Sequence, residues 1–176
     1  MIVTEDSIVV TVMEPSERAE VEAGADSGRG RRASERAIRY WQQRTSLPGS
    51  TADLAALDLS HFDSEEWSCR FVMTIDPMLD GSSLLLYGSD VARLLDLPPD
   101  SKARVPIMRR LPARYVPVFR RGCAAVLEHN APVRVEGELV REDGRQELFR
   151  AIIIPLGDAE RHAVRFAFGA FSGRVG

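Results

Sequence analysis

Through much of the second half of the chain, hydrophobic and polar positions alternate with a period of two, and that alternation predicts strands. The clearest case begins Gln-Glu-Leu-Phe-Arg-Ala-Ile-Ile-Ile-Pro-Leu at Gln146, breaks at Gly157-Asp158-Ala159-Glu160, and resumes as Arg-His-Ala-Val-Arg-Phe-Ala-Phe-Gly-Ala-Phe up to Phe171. Two runs rich in β-branched and aromatic residues around a Gly-Asp turn predict a β-hairpin. On its second strand Val164, Phe166, Phe168 and Ala170 share one face, while Arg165, Ala167, Gly169 and Phe171 share the other. A lone hairpin is marginal in water, so further strands and a helical layer must cover its apolar side.

The same periods organise the rest. Ile8, Val9, Val10 and Val12 suffice for a short strand on a sheet edge, and a loose terminus fits equally well. Residues 14–32 hold no aromatic side chain and read as a linker. Ser34 caps a predicted helix over 35–44, with Ala37, Ile38 and Trp41 on one face, and 53–62 reads as helical turns. Strands are predicted over 68–75 and 82–87, then a short helix over 91–97 stopped by Pro98-Pro99. Residues 100–112 read as loop with brief helical turns. A longer helix starts at Ala113 or Val116 and runs to Glu128, with Tyr115, Phe119, Cys123 and Val126 as its apolar stripe and Pro117 in its first turn. A strand over 133–141 follows, then a Glu142-Asp143-Gly144 turn into the hairpin. The division is a flexible extension (1–33), a helical cap (34–62) and a sheet-bearing domain (63–174).

Composition narrows the class without naming it. The 176 residues suit one domain with an extension, and 44% hydrophobic with 28% charged residues is ordinary for a globular chain. The net charge of -3 gives no reason to expect nucleic acid or a membrane as partner. Cys69 and Cys123 lie far apart without metal-ligand spacing, so both are expected as thiols in a reducing compartment. The first residues lack the basic start and apolar core of a signal peptide, and no apolar run approaches the ~20 residues of a membrane span. A cytoplasmic protein is expected.

The order strand, strand, helices, then three strands in a meander resembles the PAS fold, across Ser68 to Phe171. That fold is α+β: a five-stranded antiparallel sheet with helices inserted between strands two and three. Tyr40-Trp41, Leu47-Pro48 and Asp53-Leu54 are similar to the helical lead-in of a bacterial family of short stand-alone PAS proteins. Leu86-Tyr87-Gly88-Ser89 is similar to its strand-to-helix turn, and Phe149-Arg150-Ala151, Ile154-Pro155-Leu156 and Phe168-Gly169-Ala170 to its closing hairpin. The resemblance implies a last strand in the middle of the sheet beside the first, with Phe166 and Phe168 seated against Phe71 and Met73. It also implies a sensory or regulatory module for signal transduction.

No catalytic set stands out. The chain has no phosphate-binding loop, nucleophile elbow or paired-histidine metal motif, and His61, His129 and His162 are scattered. No metal and no enzyme activity are expected. Cys69-Arg70-Phe71 is similar to part of the flavin-adduct motif of photosensing PAS proteins, but Ser68 precedes the cysteine and the triplet falls in a strand. His129 ends the long helix, where some PAS sensors hold haem; there it can simply satisfy free carbonyls. Neither flavin nor haem is expected, and no other cofactor.

An apolar cavity is the default site. Its candidate lining is Phe71, Met73, Leu85, Tyr87, Tyr115, Phe119, Ile153, Phe166 and Phe168, although such residues more commonly fill a core. A small apolar or anionic molecule is the ligand class such a cavity and the nearby arginines would take. Arg104, Arg109, Arg110, Arg114, Arg120 and Arg121 surround the long helix and suit an acidic protein partner. Trp41, Arg114, Arg120 and Arg121 are the expected partner-binding residues, with the outer sheet face or the Trp41 helix as a homodimer contact. The alternative is a small-molecule-binding or enzymatic α+β barrel, which would need convergent acid and base groups facing inward.

Overall fold

Strand-forming runs and one amphipathic helix settle into a single curved layer with a helical cover. The computed structural model describes residues 7–13, 52–53, 67–98, 104–157 and 164–175. Eight strands are present among them: β1 (Ile8–Val12), β2 (Ala52–Asp53), β3 (Arg70–Thr74), β4 (Ser83–Tyr87), β5 (Val105–Pro106), β6 (Val133–Val140), β7 (Gln146–Gly157) and β8 (Val164–Val175). The helical elements are α1 (Ser89–Leu94), α2 (Ile107–Arg110), a 3-10 turn (Ala113–Tyr115) and α3 (Val116–His129). The predicted helix over 35–44, Trp41 with it, lies outside the described residues, as do 54–62.

The strand order is β1-β6-β7-β8-β3-β4-β5, and β2 pairs in parallel with the end of β7. Its central part, β6-β7-β8-β3-β4, is antiparallel throughout, with the helices inserted between β4 and β6. The last strand therefore sits mid-sheet beside the first of the five, and the fold is PAS-like α+β. Additional strands extend both edges. Ile8–Val12, assigned to a flexible extension, is β1: it pairs with β6 from Ile8↔Gly137 to Val12↔Val133. The Arg121 guanidinium donates to the Ile8 carbonyl at 3.1 Å and ties this strand to α3. Within the stretch read as a loop, Val105–Pro106 extends the opposite edge by pairing with β4.

Local chemistry fixes the joints. Pro117 lies in the first turn of α3, where its missing N–H costs nothing. The helix ends at Asn130, left-handed at φ 48°, whose N–H donates to the Val126 carbonyl at 2.9 Å. Between β6 and β7, Gly144 takes φ 80°, a conformation glycine adopts without strain, and its N–H reaches the Arg141 carbonyl at 3.0 Å.

Both faces of the sheet carry a core. The inner face, under α3, holds Phe71, Met73, Leu84, Tyr87, Phe149, Ile153 and Phe171 against Tyr115, Val118, Phe119, Cys123 and Val126. The outer face holds a smaller cluster of Val72, Ile152, Ile154, Leu156, Phe168 and Ala170, each at most 2% exposed.

Candidate functional site

The inner face is the place where a module of this fold could hold a molecule, and its own rings occupy it. Tyr115 meets Phe171 edge-on with centroids 5.2 Å apart, and Phe119 stacks on Phe171 at 6.0 Å. Phe149 stacks on the same ring at 6.2 Å, and Phe71 lies 5.7 Å from Phe119. These are contact separations for aromatic pairs, so the rings are one packed group. Small residues make the fit. Phe71 lies opposite Gly169 on β8, and a Cβ there would collide with its ring and with the Ile152 carbonyl. Gly122 on α3 likewise leaves room for Ile153.

One polar cluster lies in this apolar setting. Glu147 on β7 is fully buried, and its Oε1 accepts a 2.5 Å hydrogen bond from the Tyr115 hydroxyl. Its Oε2 lies 3.6 Å from the Arg114 Nε, whose side chain is 17% exposed. Neither Oε2 nor that Nε has a hydrogen-bond partner among the described residues. The Arg114 guanidinium carbon also lies 4.6 Å from the centre of the Tyr115 ring. Burial raises the Tyr115 hydroxyl far above the usual phenol range; the Glu147 hydrogen bond and charge act the same way, and Arg114 opposes them. Tyr115 is therefore a neutral donor, suited to holding a carboxylate and unsuited to serving as a base. Burial alone pushes the Cys123 thiol up to about 12, which makes it inert at neutral pH.

Of the nine proposed lining residues, Phe71, Met73, Tyr87, Tyr115, Phe119 and Ile153 come together on the inner face. Phe166, Phe168 and Leu85 do not, which corrects the expected set. Directly opposed residues in an antiparallel pair share a face, and the partners of Phe71 and Met73 are Gly169 and Ala167. Phe168 instead pairs with Val72 on the outer side. Leu85 is displaced by a β-bulge: the register shifts between Val72 and Met73, so Leu86 pairs with Val72 and Leu84 with Met73. That places Leu84 inward, while Leu85 and Leu86 pack outward.

The arginines proposed to meet a partner divide in the same way. Arg114 turns in to Glu147 and Arg121 holds β1, whereas Arg120, Arg104, Arg109 and Arg110 are exposed. Glu147 and Phe171 were absent from the candidate set. The signal for both was parity: Glu147 shares the face of Phe149, Ala151 and Ile153 on a period of two, and a charge in that row is an anomaly. Among the described residues, no three His, Cys, Asp or Glu side chains are grouped to hold a metal ion.

No protein-family model matches the chain, and no curated protein matches it. Solved structures do. The PAS domain of a protein from Colwellia psychrerythraea is similar at 10% identity and TM-score 0.43, covering 63% of this chain and 92% of that one. A Drosophila melanogaster Cycle PAS-B domain is similar at 8% identity and TM-score 0.41, covering 59% and 99%. The light-state dimer of the fungal blue-light photoreceptor Vivid is similar at 12% identity and TM-score 0.40, covering 87% and 99%.

Proposed function

We propose that this PAS-fold chain is a non-catalytic regulatory module that works in the cytoplasm of a bacterium through contact with another protein. The observation that carries this reading is the packing of the inner face. Residues that would line a ligand chamber meet one another instead, with ring centroids 5.2 to 6.2 Å apart. A module filled by its own side chains has its surface left for signalling. Its exposed arginines, Arg104, Arg109, Arg110 and Arg120, suit an acidic segment of a partner.

The cofactors of related sensors do not fit the residues present. Cys69 packs with the outer-face cluster, across the sheet from α3. The His129 side chain is 45% exposed at the end of α3, 3.8 Å from the Glu128 carboxylate. A small-molecule-binding α+β domain is the second reading. It is favoured by Glu147 Oε2 and Arg114 Nε, a buried acceptor and donor 3.6 Å apart that a small polar ligand would satisfy.

Native mass spectrometry and an absorbance spectrum of the protein purified from its own host separate the two. The first reading expects polypeptide mass alone, with no absorbance beyond that of its aromatic residues. A stoichiometric small molecule would replace it with the second.

A further inference from the structure

The turn between β3 and β4 lifts an apolar side chain out of the fold. Met78 is 70% exposed, the most exposed large hydrophobic residue among those described. Hydrogen bonds hold its backbone: the Met78 N–H donates to the Asp76 carboxylate at 3.0 Å, and the Asp76 N–H to the Ser82 hydroxyl oxygen at 2.8 Å. Next in the chain, Leu79 is fully buried at φ 67°, a left-handed conformation that a leucine keeps only where its surroundings enforce it. Leu79 is the anchor, and Met78 is held in water beside it. The turn also meets the edge of the sheet. The Ser82 N–H donates to the Leu79 carbonyl at 3.0 Å, and the Ser82 carbonyl accepts the Ile107 N–H at 3.0 Å, which sets the turn against the start of α2. At that corner Arg104, Pro106, Arg109 and Arg110 are exposed, and Asp80 is the exposed acid of the turn. None of the three arginines makes an ion pair with another described residue. The stretch they belong to is one-sided: between Asp100 and Glu128 the chain holds seven of its 23 basic residues and none of its 26 acidic ones.

We infer that this corner, formed by the β3–β4 turn, β5 and α2, docks an acidic protein segment that carries an apolar side chain. Met78 is the apolar contact, and Arg104, Arg109 and Arg110 take the carboxylates. The inference rests on the reading of the chain as a regulatory module acting through protein contact, and it assigns that contact to one place and adds Met78 to it. Methionine and arginine are enriched at the centres of protein contacts, and the thioether adapts its shape to the surface it meets. Arginine forks bind carboxylates through paired hydrogen bonds. Pro106 leaves this two-residue edge without an N–H for an added strand, so side chains carry the contact. A nucleic acid would use the same arginines, but Met78 adds nothing for a phosphate backbone, and the chain's net charge of -3 opposes a polyanion.

The test is a titration of the full-length chain followed by NMR of its methionine methyl groups. The probe is a short synthetic peptide of glutamates and serines around one phenylalanine, compared with the same peptide carrying serine for phenylalanine and with single-stranded oligothymidylate. The Met78 methyl should shift with the first peptide, while that of Met73, fully buried in the core, should stay. Arg109→Glu combined with Arg110→Glu should weaken binding by at least about tenfold. Met78→Ser should weaken the phenylalanine peptide about fivefold and the serine peptide less than about twofold. Each variant is checked for an unchanged melting transition, and the wild-type methyl shift stands without any variant. No binding of the phenylalanine peptide overturns the inference, as does binding that leaves the Met78 methyl unmoved or is indifferent to Met78→Ser. Tighter binding of the oligothymidylate overturns it too. Peptide binding that is lost on Arg120→Glu without moving Met78 would overturn this site and leave the regulatory reading standing, its contact on α3. A stoichiometric small molecule in the purified protein would remove that reading whatever the titration shows.

Discussion

The inner face and the open end of the outer face share strands β6, β7 and β8 and differ in almost every physical respect. Under α3, β7 presents Phe149, Ala151 and Ile153, all buried, and its one charge, Glu147, is held by Tyr115. One residue along, on the other side, the same strand presents Leu148 to solvent and Arg150 to the half-buried Glu136. A period of two therefore separates the part that holds the fold together from the part free to meet a partner. The difference shows where information can be carried without disturbing stability, and substitutions on each side should give effects of different size.

The largest effect is expected from Phe171→Ala, which empties the ring shared by Tyr115, Phe119 and Phe149. Urea unfolding should show a loss of ~3–5 kcal/mol. A loss below ~1 kcal/mol would mean that the inner face is loosely filled. Next comes Glu147→Leu, which leaves the Arg114 charge half-buried without its carboxylate and the Tyr115 hydroxyl without its acceptor; about 3 kcal/mol should be lost. Adding Arg114→Leu should recover part of that loss, since a buried pair replaced by apolar groups is often near neutral. Gly169→Ala should cost about 2 kcal/mol through collision with Phe71 and the Ile152 carbonyl.

Alkaline pH probes the inner face from another direction. The Cys123 thiol and the Tyr115 hydroxyl both have folded values above their ordinary ones, so the native state holds their protons longer than the unfolded chain does. Their contribution is complete below pH ~8–9 and is lost as pH rises, for Cys123 until about 12. For Cys123 alone the loss between pH 9 and pH 10 should be about 1 kcal/mol, absent in Cys123→Ala. The smallest effect belongs to the open end. Leu148→Ser should change stability by no more than ~0.5 kcal/mol, and a larger loss would place Leu148 in the core.

Much of this division was written in the chain, and the part that was not has identifiable causes. The succession of elements along the chain follows the pattern from Ser68 to Phe171, and α3 appears where the stripe of Tyr115, Phe119, Cys123 and Val126 placed it. The pairing of β8 with β3 is a long-range choice that local periodicity cannot encode; it came with the resemblance. Parity places Phe166 and Phe168 on one face and leaves open which side meets α3; the resemblance implied that they sit against Phe71 and Met73, and the register sets Ala167 and Gly169 there instead. Ala167 and Gly169 turned inward because Phe71 and Met73 need small neighbours. Leu85 failed for a different reason, since a bulge shifts parity within a strand of five residues and leaves no mark in Ser-Leu-Leu-Leu-Tyr. Glu147 is legible by spacing as a charge in the row of Phe149, Ala151 and Ile153, but its partners Tyr115 and Arg114 come from a distant part of the chain that spacing does not connect to it.

The account stands on the claim that the inner face is closed by its own side chains. The direct measurement is a crystal structure of the protein purified from its own host, with the density between α3 and the sheet resolved atom by atom. It should show Phe71, Phe119, Phe149 and Phe171 in mutual contact, the Tyr115 hydroxyl on Glu147, and nothing larger than a water beside Glu147 Oε2. Unassigned density of several atoms between those rings and the Glu147 carboxylate would contradict it.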